Sequence, residues 1–132
     1  MYMRSLALLI LAAALVSPGC GGVTSPSQNK QSPFSGVLQP GGIWRSGSID
    51  VQNTGEFSVK ITALSPTPTA VVGTAWAQGG NCELPLQTNN FSQLNAPALA
   101  GAVIQKGAYC VAVFDSIGLT TAQNFTVVVS HP

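Results

Sequence analysis

Few side chains in this sequence can do chemistry, and they are scattered. His131 is the single histidine, one residue from the end of the printed chain. One imidazole cannot build a multi-histidine zinc site, and a Ser-His-Asp triad would have to draw its base from this penultimate position. A solvated terminal residue is the simpler expectation. The four carboxylates, Asp50, Glu56, Glu83 and Asp115, share no paired motif. Two of them meeting in space would offer glycoside chemistry. Asp50 and Asp115 with loop carbonyls would offer a calcium site. Solvated acids at strand ends are the plainer reading. No catalytic residue, metal ligand or cofactor contact is therefore assigned, and a small hydrolase is the weakest of the functional readings. Trp44, Trp76 and Phe91 are the remaining side chains of interest. Exposed together, they would stack on sugar rings or meet a protein partner; packed inward, they would be core.

The cysteines carry more information. There are three, Cys20, Cys82 and Cys110, an odd number for an exported protein. Residues 1–19 have the layout of a secretory leader. Arg4 gives a positive start, and Leu6 to Val16 gives an apolar core too short for the roughly 20 residues that span a bilayer. The segment Ser17-Pro18-Gly19-Cys20-Gly21-Gly22 follows. A small residue directly before a cysteine, just after the apolar core, resembles the bacterial lipoprotein processing site. That resemblance implies lipidation of Cys20, which becomes the mature N-terminus and tethers the chain to a membrane. The alternative is ordinary cleavage nearby, which leaves Cys20 a loose thiol or removes it. With Cys20 lipidated, Cys82 and Cys110 remain as a pair in an oxidising compartment, where a disulfide persists. Two separate buried thiols or a metal pair are the competing readings.

Charge narrows the partners. Charged residues make up 7% of the chain, against about 25% in ordinary soluble proteins, so Ser, Thr, Asn and Gln must carry the wet surface. Beyond the leader, Lys30, Arg45, Lys60 and Lys106 balance the four acids. A neutral chain without a basic cluster offers no footprint for nucleic acid or for an anionic lipid surface.

The elements that must position these residues read as strands. Residues 20–33 form an expected tether, because 23–33 (VTSPSQNKQSP) lacks apolar periodicity; its eleven residues would reach roughly 20 Å as a coil. The domain is expected over 34–132. A short strand is expected at 34–38 and a second at 48–52, with Ile43-Trp44-Arg45 leading into it. Glu56 to Leu64 shows the cleanest alternation, with Phe57, Val59, Ile61 and Ala63 on one side and Glu56, Ser58, Lys60 and Thr62 on the other. Pro66 and Pro68 end it. Ala70 to Ala77 is a strand containing Trp76, Gln78 to Gln93 a long polar loop holding Cys82, and Ala98 to Ile104 another strand. Two β-rich runs close the chain, Gly107 to Phe114 and Asn124 to Ser130. In the first, Tyr109, Val111 and Val113 share one face while Cys110, Ala112 and Phe114 share the other. Gly118 in the link makes antiparallel pairing of the two runs the natural expectation. About seven short strands with regular turn signals point to an all-β fold, a single antiparallel β-sandwich of jelly-roll type.

The patterns Gly107-x-Tyr109-x-Val111-x-Val113 and Phe125-Thr126-Val127-x-Val129, with Leu38-x-Pro40-Gly41 and Phe57-x-Val59-x-Ile61 upstream, resemble the bacterial pre-peptidase C-terminal domain. This is a β-sandwich appended to secreted enzymes. The resemblance covers about residues 34–132 and implies a non-catalytic accessory or surface domain. The expected function is an envelope-anchored binding or structural module whose partner is a glycan or an envelope protein. A secreted carbohydrate-binding module is the alternative.

Overall fold

A computed structural model describes residues 28–132; the expected leader, Cys20 and the greater part of the expected tether lie outside the described residues. Nine strands follow in order: β1 (Lys30–Leu38), β2 (Ile43–Arg45), β3 (Ile49–Val51), β4 (Gly55–Ser65), β5 (Val72–Gln78), β6 (Leu84–Ser92), β7 (Pro97–Val103), β8 (Gly107–Phe114) and β9 (Gln123–His131). They form two antiparallel sheets. One has the order β1-β9-β4-β7, the other β2-β8-β5-β6 with β3 also pairing β8. β2 meets the Phe114 end of β8 and β3 its Gly107 end. The two short strands thus act as one interrupted edge strand, joined where Ser46 exchanges hydrogen bonds with Val111. Counted this way, each sheet has four positions, and the chain steps between sheets at almost every turn. That order is the eight-stranded jelly roll.

Alternation in the sequence decides which residues line the interior. Phe57, Val59 and Ile61 of β4, Tyr109, Val111 and Val113 of β8, and Phe125, Val127 and Val129 of β9 are all buried in one core cluster. Glu56, Ser58, Lys60 and Thr62 stay exposed, so β4 has the one wet face its pattern predicts. The alternation breaks at Thr62. Ile61 pairs with Val127 and Ala63 with Thr126, a bulge against β9. The extra residue turns Ala63 outward and puts Leu64 into the core, contrary to the inward placement expected for Ala63.

Three further expectations change. β1 begins at Lys30, so residues 30–33 belong to the sheet rather than to a tether. Gln31, Ser32 and Pro33 pair with Ser130, Val129 and Val128. Pro33 is tolerated because β1 is an edge strand, where a missing N–H costs no ladder bond. The expected loop over 78–93 contains β6, paired with β5 through two irregularities. The last two strands do not form a hairpin: β8 and β9 lie in different sheets. The Asp115 carboxylate gathers the link between them by accepting hydrogen bonds from the backbone N–H groups of Gly41, Ile117, Gly118 and Leu119. The link therefore crosses the sandwich instead of folding back.

Candidate functional site

His131 is not solvated. β9 continues as far as His131, which pairs with Lys30 and is 3% exposed. Its Nε2 lies 2.9 Å from Ser32 Oγ. Hydroxyl and imidazole at this distance are the first two parts of a nucleophile–base pair. The other ring nitrogen, Nδ1, lies 3.4 Å from a main-chain oxygen of the adjacent Pro132. The contact closes the end of the sandwich.

The carboxylates do not converge. Asp50 sits opposite Ala108 at the start of β8 and accepts a hydrogen bond from Gln52 Nε2. Asp115 follows the other end of the same strand, roughly 20 Å away at about 3.3 Å per residue. The two therefore cannot share a calcium ion. Glu83 accepts from the Asn81 backbone N–H, and Glu56 stays on the exposed face of β4. Among the described residues, no three His, Cys, Asp or Glu side chains are grouped to hold a metal ion. The Asp115 carboxyl is held below its usual range. The Gly41 N–H is the largest cause, partial desolvation opposes it, and the Leu119, Gly118 and Ile117 N–H groups add to it. The role is structural, since every donor belongs to the backbone it ties.

The three aromatics separate. Trp76 is 1% exposed and is stacked between Phe57 and Tyr109, with ring centroids 4.8 and 5.0 Å away. Trp44 is half-buried between the sheets, edge-on to Phe125 at 5.0 Å and tilted against Phe34 at 6.2 Å. Phe91 is 72% exposed on edge strand β6. No shared aromatic surface forms from them. Cys82 and Cys110 do come together: they form a disulfide with Cα atoms 5.2 Å apart, within the usual range. The bridge joins the β5–β6 turn to the centre of β8.

What the sequence reading missed lies on the outer face of the β2-β8-β5-β6 sheet. A trough of about 280 Å³ runs there. Its floor is Ala75 and Ala77 of β5 and Ala112 of β8, and its walls include Ile43, Phe114, Pro85 and Cys82. The signal was present, since β5 and β8 carry apolar residues on both faces. A second opening of about 340 Å³ lies at the β6–β7 edge, where Leu86, Gln87 and Gly101 frame Phe57 and Trp76. A third, of about 270 Å³, is polar and is lined by Gln28, Asn29, Asn53 and Pro132. Compared with known proteins, the chain matches no family model and no curated sequence.

Proposed function

We propose that this protein is an envelope-anchored, non-catalytic jelly-roll lipoprotein that acts as a binding or structural module. One observation carries the reading: Cys82 and Cys110 satisfy each other in a disulfide. The cysteine left over is Cys20, placed directly after an apolar leader and a small residue. A disulfide suits an oxidising compartment, which is where a leader of this kind would deliver the chain. The scattered carboxylates, of which no three group with His or Cys among the described residues, favour a module over a hydrolase. An envelope protein suits the exposed apolar residues of β6, Leu84, Leu86 and Phe91, better than a glycan does. Sugar stacking needs flat aromatic surface, and among Trp44, Trp76 and Phe91 Phe91 alone is largely exposed.

Metabolic labelling with a clickable fatty acid in the producing cell tests the anchor. Label is expected on the wild-type chain and is lost in Cys20→Ser, with release of the protein from the membrane fraction. A wild-type chain that takes up no label would remove the anchor from the proposal. The non-catalytic half is tested by turnover of esterase and glycosidase reporter substrates. Activity that vanishes in Ser32→Ala would overturn it.

A further inference from the structure

The outer face of the β2-β8-β5-β6 sheet is built unlike that of β4. β4 points Glu56, Ser58, Lys60 and Thr62 to water. At the corresponding outward positions β5 carries Gly73, Ala75 and Ala77, and β8 carries Cys110, Ala112 and Phe114. Ala75, Ala77 and Ala112 are only 8%, 0% and 2% exposed although no second sheet covers them. Larger neighbours shade them. Ile43 and Phe114 stand at one end, with the Phe114 ring lying directly over Gly73, where any Cβ would collide with it. Pro85 and the Cys82–Cys110 bridge close the other end. Small floor residues between tall walls make a groove rather than a flat patch. A central strand pair apolar on both faces is normally covered on both.

The lining also specifies a charge. Arg45 is the one charged residue on the trough, no acid lines it, and Thr88 is the only other polar side chain there. From Arg45 the trough crosses Ala112 and Ala75, which lie in one cross-strand row, a path of about 10 Å at roughly 4.8 Å per strand, and Ala77 extends it along β5. The volume of about 280 Å³ is at the lower end of small-ligand sites, which run from about 300 to 1,000 Å³. We propose that the trough binds one medium-length acyl chain with a carboxylate head group. The tail lies along Ala112, Ala75 and Ala77, and the head meets Arg45 at the rim. A planar guanidinium pairs with a carboxylate through two parallel N–H···O bonds. A dianionic phosphate head would call for more than this single cation. A sugar would leave most of its hydroxyls facing alanine.

The test compares decanoate with decyltrimethylammonium, which has the same tail and the opposite charge. Both are titrated below their micellar concentrations into the disulfide-intact protein, and binding is read by NMR chemical-shift changes. Decanoate is expected to bind saturably at residues of β5 and β8, about tenfold or more tighter than the cation, as one charge-assisted hydrogen-bonded pair allows. Arg45→Gln is expected to remove that preference. Ala75→Leu, or Ala112→Leu should the first variant fold poorly, is expected to fill the trough and weaken both ligands while far-UV circular dichroism stays unchanged. Equal affinity for the two ligands, no saturable decanoate binding, or an Arg45→Gln variant that keeps the preference would overturn the assignment. So would a dimer in sedimentation velocity that the filled variants abolish, because the face would then belong to a second copy of the chain. None of these outcomes depends on lipid at Cys20, which the labelling experiment decides separately.

Discussion

Asp115 shows how one residue can set a chain path. Its carboxylate collects backbone N–H groups from Gly41, Ile117, Gly118 and Leu119, tying the turn between β1 and β2 to the crossover between β8 and β9. The side chain is partly open to solvent, so its contribution is discounted to about 1 kcal/mol despite the four donors. The sign with pH follows from its lowered pKa. A carboxylate depressed in the folded state stabilises it above the unfolded value of about 3.9. That stability is lost as pH falls through the folded value. Asp115→Asn is therefore expected to be less stable than wild type at pH 7, with the gap closing below about pH 4. Urea unfolding of both proteins at pH 7 and pH 3 checks this, and a gap of equal size at the two values would deny the carboxylate its role. Gly36 gives a second case at this scale. A Cβ there would lie 2.5 Å from Trp44 Nε1, so Gly36→Ala must displace an indole packed between the sheets. Overpacking of this kind costs about 1–3 kcal/mol, and chemical denaturation should find Gly36→Ala less stable by that amount.

Between elements, the aromatic rings divide by sheet position rather than by residue type. Trp76 links β5 to Phe57 of β4 and Tyr109 of β8 and so joins the two sheets. Phe91 projects from β6 and is 72% exposed. Trp76→Ala is expected to cost about 3–5 kcal/mol, and Phe91→Ala about 0.5 or less. Thermal melts of the two variants should separate widely. Similar melting temperatures would mean that the stack does not hold the sheets. Much of this architecture was legible in the sequence. The alternating runs of β4, β8 and β9 place their inner faces correctly, apart from the phase shift after Thr62. β6 was illegible because LPLQTNNFS is exposed along almost its whole length. Its strand geometry comes from pairing with β5, not from a pattern of its own. The hairpin expected from β8 and β9 failed because Gly118 signals a turn without saying which sheet receives the next strand. For the trough, the runs in β5 and β8 signalled apolar residues on both faces, but not which of those residues face outward. Alanines facing outward read as ordinary core residues until the sheet order shows which side of β5 and β8 they occupy.

For the whole molecule, the question is what lets a domain with so few charges hold together. The polar surface is built from neutral side chains such as Ser35 with Thr126, and Gln31 with Ser130, hydrogen-bonded across the β1–β9 pair. Bonds of this type each add about 1 kcal/mol net and change little with salt, because no ion pair is screened. The long-range constraint is covalent. Cys82 and Cys110 are 28 residues apart, and closing such a loop removes unfolded-state entropy equivalent to about 3–4 kcal/mol. The bridge enters β8 at Cys110, which is 0% exposed, beside core residues on both sides in sequence. Replacing both cysteines by alanine is expected to lower the urea midpoint by roughly 1–4 M, given a slope of about 1–3 kcal/mol per molar for a domain of this size. Thiol titration of the unreduced, denatured Cys20→Ser protein should find none from positions 82 and 110, and two after reduction. A midpoint that does not move on loss of the bridge would shift the weight of stability entirely onto the packed interior.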